Sequence, residues 1–150
     1  EREFKIIKFR SMVMNAEKKT GVVLAKKDDD RITPVGKFIR KTRIDELPQF
    51  FNILAGDMSF VGPRPERPEI YDEICKTMPE FRYRLVVKAG LTGYAQVYGK
   101  YNTSLRDKLL LDLYYIENYS LIDDIKFILL TLKIVFSKEA SEGVEQETFL

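Results

Sequence analysis

Two adjacent carboxylates, Asp45 and Glu46, follow a run of cations: Lys37, Arg40, Lys41 and Arg43 occur with no acidic residue between Arg31 and Ile44. An ionised carboxylate can bind a divalent cation or attack phosphorus, and a cationic surround offsets the charge of an approaching phosphate. Two neighbouring carboxyls in different environments can divide the roles of nucleophile and general acid or base. Asp45 is expected to cap a helix running to about Ala55, with Pro48 in the first turn and Gly56 ending it. The partial positive charge of that helix end would keep Asp45 ionised. Taken alone, the pair reads first as a cap with an acidic first turn, which is what most such pairs before an apolar run are; only its company favours chemistry.

The composition narrows the chemistry. With no histidine and one cysteine, Cys75, the chain has no internal disulfide, no imidazole or thiolate metal site, and no Ser-His or Cys-His nucleophile pair. Any metal must sit on oxygen ligands, which suits Mg²⁺, Mn²⁺ or Ca²⁺, and proton transfer falls to Asp, Glu, Lys or Tyr. The net charge is only +2, yet residues 1–43 carry +7 and residues 44–150 carry −5. The N-terminal third is therefore either an anion-binding region or a solvated basic surface. Nucleic acid is not an expected partner, because no RNA-binding aromatic motif or DNA-reading helix is recognisable.

The elements that must position these groups are short. Residues 4–9 alternate like a strand, and residues 14–31 read as a polar helix or loop in which Asp28-Asp29-Asp30 forms a solvated turn. Thr33 caps a helix with Pro34 at its first position, Val35, Phe38 and Ile39 on one face and the cations on the other. In the next helix Leu47, Phe50, Phe51 and Leu54 follow i, i+3, i+4, i+7 and are expected to be core, with a membrane-facing role for Phe50 and Phe51 the weaker alternative.

Strands are expected at 58–61, 85–88 and 94–98, with a turn at 90–93. Between them, Gly62-Pro-Arg-Pro65 is a rigid loop in which each proline disfavours the helical region for the residue before it. Arg64, held extended between the prolines, loses little entropy on gripping an anion, or is a surface arginine in a structural turn. Helices are expected at 66–77, at 105–118 behind a Ser104 cap, and at 121–136, whose Asp123, Asp124, Lys126 and Lys133 argue against a membrane span. The whole reads as an α+β, mainly helical single domain over residues 1–136 with a few short strands, followed by an acidic, flexible tail at 137–150.

The segments Lys8-Phe-Arg-Ser-Met12, Asp30-Arg-Ile-Thr33 with Gly36, and Arg40 before Asp45-Glu-Leu-Pro-Gln49 recur together with several others. Those others are Asn52, Gly56-Asp-Met-Ser59, Val61-Gly-Pro-Arg-Pro65, Gly90-Leu-Thr-Gly93 with Gln96, Asp112 with Tyr115, Asn118-Tyr-Ser-Leu121 and Asp124. In this order and spacing, from residue 8 to about 137, they resemble the bacterial sugar transferases, also called monotopic polyprenyl-phosphate phosphoglycosyl transferases. The resemblance implies transfer of sugar-1-phosphate from a nucleotide-activated sugar, usually a UDP-sugar, to polyprenyl (undecaprenyl) phosphate, with release of UMP. Such a step opens the membrane stage of exopolysaccharide, capsule, O-antigen or glycoconjugate synthesis.

The same resemblance implies Asp45 as the nucleophile that forms a covalent phosphosugar intermediate. It places Mg²⁺, or Mn²⁺ in its stead, on Asp45 and Glu46, with Glu46 assisting proton transfer or metal placement. Arg40, Arg64, Lys8 and Lys100 would neutralise substrate phosphate; at Lys100 the family often has arginine, and lysine keeps the charge but loses the bidentate grip. The implied setting is a membrane-associated, monotopic catalytic domain on the cytoplasmic face of the bacterial cytoplasmic membrane. Its partners would be the UDP-sugar, polyprenyl phosphate and the inner-membrane lipid surface, with a homo-oligomer allowed for.

Family members carry a membrane-embedded helix upstream of the segment matching 4–9, so the chain reads as an excised catalytic domain. The rival reading is an inactive or regulatory module that binds anionic lipid or nucleotide through residues 31–43. Nothing marks which sugar is taken.

Overall fold

Residues 33–41 form the helix their types encode. In the computed structural model, which describes residues 3–16, 18, 29–99 and 103–136, Thr33 caps α1 (Pro34–Lys41) by accepting the Gly36 amide at 2.9 Å. The start of α1 lies against the N-terminal segment: Thr33 N–H donates to the Ser11 carbonyl at 3.1 Å, and Met12 bridges Ile32 in antiparallel sense. Gly36 is buried there, and a Cβ on it would overlap the Ser11 carbonyl. Alanine ordinarily gains about 1 kcal/mol over glycine inside a helix. Gly36→Ala is instead expected to destabilise by roughly 1–3 kcal/mol through overpacking, read as a lowered melting temperature; a raised one would show that the 11–13 segment yields freely.

The Asp28-Asp29-Asp30 run is not simply solvated. Asp29 is buried and holds Arg31 with both oxygens, Nε to Oδ1 at 2.8 Å and Nη2 to Oδ2 at 2.6 Å. A buried carboxylate needs such a partner, and this one closes the turn into Ile32.

Residues 4–9 do not form the expected strand, and no strand among the described residues pairs with them. The buried Asn52 takes that place: Ile7 N–H donates to Asn52 Oδ1 at 3.0 Å, and Asn52 Nδ2 donates to the Lys5 carbonyl at 2.8 Å. A carboxamide offers a donor and an acceptor much as a peptide does. Phe9 N–H then donates to the Asp45 carbonyl at 3.1 Å.

Asp45 does not cap a helix. After α1 the backbone turns at Arg43 in the left-handed region (φ 57°), enters a 3₁₀ turn (Ile44–Glu46), and reaches α2 (Gln49–Leu54) only after Pro48. The stripe expected to be core faces outward: Leu47, Phe50, Phe51 and Leu54 are exposed, Leu54 at 83%. The buried face of α2 carries Gln49 and Asn52, because Asn52 must reach the 5–7 backbone. Periodicity reports that a helix has two faces, and the hydrogen bonds decide which is inward. Val35 and Phe38 of α1 are likewise exposed.

Beyond α2, β1 (Ser59–Val61), α3 (Pro68–Thr77), a 3₁₀ run (Pro79–Val86), β2 (Gly90–Thr92) and α4 (Tyr94–Tyr98) follow. β1 and β2 pair in parallel, Ser59 opposite Gly90 and Val61 opposite Thr92. The expected turn at 90–93 is thus mostly a strand, and the expected strands at 85–88 and 94–98 are the end of the 3₁₀ run and a helix. Close backbone approach explains the first correction: Gly62 N–H donates to the Thr92 carbonyl at 2.9 Å, and a Cβ on Gly90 would strike the Gly62 amide. Packing explains the last: Tyr94 stacks on Tyr98 one turn on at 4.8 Å, and on Tyr114 and Phe127 at 5.3 Å each, overriding its strand propensity.

Ser104 accepts the Asp107 amide at 3.1 Å and caps α5 (Leu105–Glu117), and α6 (Leu121–Phe136) follows. α5 serves two cores. Leu109 packs with Cys75 and Phe81, and Tyr115 packs with Val61 and Phe127. The Tyr115 hydroxyl also donates to Asp124 at 2.8 Å, fastening α6. The fold is α+β, mainly helical around a two-stranded parallel sheet. No helix among the described residues is long and apolar enough to cross a membrane. The tail 137–150 lies outside the described residues.

Candidate active site

Cations converge on Glu46. Its Oε1 accepts from Arg64 Nη2 at 2.7 Å and faces Lys8 Nζ at 3.6 Å and Arg43 Nη1 at 3.8 Å. Each arrives on a different element: Lys8 between the anchored amides of Ile7 and Phe9, Arg43 on the left-handed turn, Arg64 on the loop after β1. Burial pushes the Glu46 pKa up, but Arg64 foremost, then Lys8 and Arg43, outweigh it and hold the carboxyl below its usual range.

Asp45 sits differently. It is buried, 9% exposed, and its Oδ1 has no hydrogen-bond partner. Its carboxyl is pushed up, by burial first and by the Glu46 charge second, while Lys8 and Arg40 pull it down. The expectation that a helix end keeps Asp45 ionised is therefore corrected: no cap forms, and the environment drives the two carboxyls apart, Glu46 down and Asp45 up.

The structure brings Asp45, Glu46, Lys8 and Arg64 together. Arg40, in the last turn of α1, makes no ion pair with either carboxylate among the described residues and acts on Asp45 through its charge. Lys100 lies outside the described residues. Chemistry that needs ionised Asp45 should show, at fixed metal concentration, an acid limb of kcat/KM above the ordinary aspartate value of 3.8. Lys8→Ala removes a positive charge that favours the ionised form and should move that limb further up; a limb that stays put would separate Lys8 from Asp45.

Mg²⁺ is commonly held by one or two carboxylates, completing its shell with water and substrate phosphate oxygens. The orphaned Asp45 Oδ1 beside the Glu46 carboxylate meets that minimum. Among the described residues no group of three His, Cys, Asp or Glu could hold an ion without substrate oxygens. Gln49, one turn on and buried, also leaves its Nε2 unpartnered, and a buried polar atom without a partner marks a place where ligand or water completes the bonding.

Two charged residues lie behind the site: Asp112, one of the family segments but given no role from sequence, and Arg84, which was not singled out. Arg84 Nε donates to Asp112 Oδ2 at 2.8 Å, its Nη2 donates to the Arg64 carbonyl at 2.8 Å, and its guanidinium lies over the Phe81 ring at 4.4 Å. Both are buried. Asp112 carried a signal: an aspartate between Leu109 and Leu113 on the apolar side of a helix must find a cation. Arg84 carried none, since its partners are 20 and 28 residues away.

A family model described as bacterial sugar transferase matches residues 1–138. The chain is 45% identical over 139 residues to the UDP-N-acetylgalactosamine-undecaprenyl-phosphate N-acetylgalactosaminephosphotransferase of Aeromonas hydrophila, a match covering 91% of this chain and 33% of that protein. It is 46% identical over 145 residues to a galactosyl transferase of Streptococcus agalactiae, covering 89% and 32%. It is 39% identical over 145 residues to the UDP-glucose:undecaprenyl-phosphate glucose-1-phosphate transferase of Xanthomonas campestris pv. campestris, covering 93% and 30%. The chain spans about a third of the length of these relatives.

Proposed function

The chain belongs to the bacterial sugar transferase family, and on that premise we propose that it is the catalytic part of an enzyme that moves sugar-1-phosphate from a UDP-sugar to polyprenyl phosphate, such as undecaprenyl phosphate, releasing UMP. The observation that carries this reading is a buried carboxylate with an unpartnered oxygen, Asp45, beside a second, Glu46, that gathers three cations.

Asp45 attacks the sugar-bearing phosphorus, forming an aspartyl O–P bond as the P–O bond to UMP breaks and UMP takes the electron pair. An oxygen of the lipid phosphate then attacks the same phosphorus, and the aspartyl bond breaks to restore the carboxylate and give polyprenyl-diphosphate sugar. Burial of Asp45 limits the access of water to that intermediate. Arg64 and Lys8 face the transferring phosphate, with Arg40 adding positive charge, and neutralise what develops on it. Mg²⁺, or Mn²⁺, when bound with Asp45 and Glu46 as its protein ligands, adds charge neutralisation at that phosphate. A Glu46 held ionised suits placing cations better than donating a proton.

The lipid substrate also calls for a surface that meets lipid. The exposed Val35, Phe38, Leu47, Phe50, Phe51 and Leu54, with exposed Lys37, Lys41 and Arg43 among them, suit the cytoplasmic face of the inner membrane. The relatives are named for different sugars, so the donor is left as a UDP-sugar. The test is a screen of UDP-glucose, UDP-galactose and their N-acetylamino forms against undecaprenyl phosphate and Mg²⁺ with the full-length protein. At least one should yield UMP and the diphosphate lipid; no UMP from any would overturn the reading.

A further inference from the structure

The loop that presents Arg64 is poor in backbone donors. Pro63 and Pro65 have no amide hydrogen, so the peptides around Arg64 can be held chiefly through their carbonyls. Both nearby carbonyls are held: that of Pro63 accepts the Gly90 amide at 2.9 Å, and that of Arg64 accepts Arg84 Nη2 at 2.8 Å. Arg84 is fixed in turn by Asp112 at 2.8 Å through Nε and by the Phe81 ring beneath it. From the carbonyl so held, the Arg64 side chain runs out to Glu46 at 2.7 Å.

A buried ion pair is seldom worth more to stability than an apolar pair of the same volume, and its better-attested use is to specify geometry. The guanidinium fork suits this one, because two different nitrogens serve two partners at once. We propose that Arg84, clamped by Asp112, is a positioning residue that fixes the Arg64 backbone and so aims the Arg64 guanidinium at Glu46 and the transferring phosphate. The phosphate half of this inference rests on the sugar transferase reading; the aiming half stands on the geometry alone.

Arg84→Lys keeps a cation for Asp112 but cannot reproduce the fork. It is expected to lower kcat by about 10- to 100-fold, the scale of a misaimed catalytic contact. In an Arg64→Ala background the same change should cost less than about twofold, since residues acting through one another are not additive. Independently of activity, the Nη–H signals of Arg64 in a ¹⁵N spectrum should be distinct in the parent, where Nη2 is held by Glu46, and collapse towards the solvent-averaged position in Arg84→Lys. Asp112→Asn, which frees Arg84, should do the same and serves if the lysine variant does not fold. An unchanged Arg64 signal, or losses that multiply in full in the double variant, would overturn the proposal. A parent protein that releases no UMP would overturn the transferase reading instead, while the Arg64 signal still decides the aiming.

Discussion

Asp45→Asn is expected to lower UMP release by at least about a thousandfold, the scale of losing a nucleophile, while leaving the protein as stable or more so. The amide has nearly the shape of the carboxyl but neither attacks phosphorus nor binds a divalent cation well. Stability should move the other way because of where Asp45 sits. Its pKa is raised in the folded protein by burial and by Glu46, so folding is favoured at low pH and disfavoured as pH rises past the ordinary value of 3.8 towards the folded one. At neutral pH the ionised carboxyl is therefore a burden on the fold, and asparagine relieves it. UMP assays with a thermal melt at pH 7 check both halves. Residual turnover near the parent rate would remove Asp45 from the chemistry, and a melting temperature several degrees lower would give it a structural role.

The second large effect belongs to Arg64. Arg64→Ala is expected to lose about 2–4 kcal/mol of transition-state stabilisation, as for other groups facing developing charge. It also strips Glu46 of the strongest of the partners that hold its pKa down, so the acid keeps its charge less readily. Stability should fall only modestly: Glu46 is 13% exposed and loses its nearest partner, but Lys8 and Arg43 still face it. Arg64→Lys should recover part of the activity, the charge without the fork. Measuring kcat/KM for the UDP-sugar decides the matter: unchanged kinetics in Arg64→Ala would reduce the arginine to a turn residue.

What could be read from the chain follows the range of each interaction. The helices at 34–41, 105–117 and 121–136 were legible because their signals are local: a Thr33 or Ser104 cap and an apolar repeat. The segments at 4–9 and 94–98 were not, because each is decided at a distance, the first by the side chain of Asn52 and the second by aromatic partners on α5 and α6. Of the expected site residues, Asp45, Glu46 and Arg64 meet in space and stood out as short motifs, an Asp-Glu pair and an arginine between prolines; Arg43, which joins them, did not. The electrostatics of the site were not legible. Arg43 in a left-handed conformation is unusual for a residue with a side chain, and that turn replaces the expected cap and reverses the environment of Asp45. The role of Arg84 was as unreadable as that of Asn52: a single polar side chain reaching across the fold leaves no pattern around itself.

The parallel pairing of Ser59 with Gly90 bears on the order in which the protein can acquire its site. Parallel strands need a long crossover, and this one takes in α3 and the 3₁₀ run. Closing a loop of about 30 residues costs roughly 3 kcal/mol of chain entropy, only partly offset by two strands of three residues. Part of the rest comes from α5, whose Asp112 and Leu109 receive the crossover through Arg84 and Phe81, and part from α6, whose Phe127 packs on Val61. During synthesis from the N-terminus, the ribosome therefore releases Asp45 and Glu46 well before the elements that close the Arg64 loop onto them. The nascent chain carries its carboxylates early, and the Arg64 loop is closed onto them only once α5 has been made.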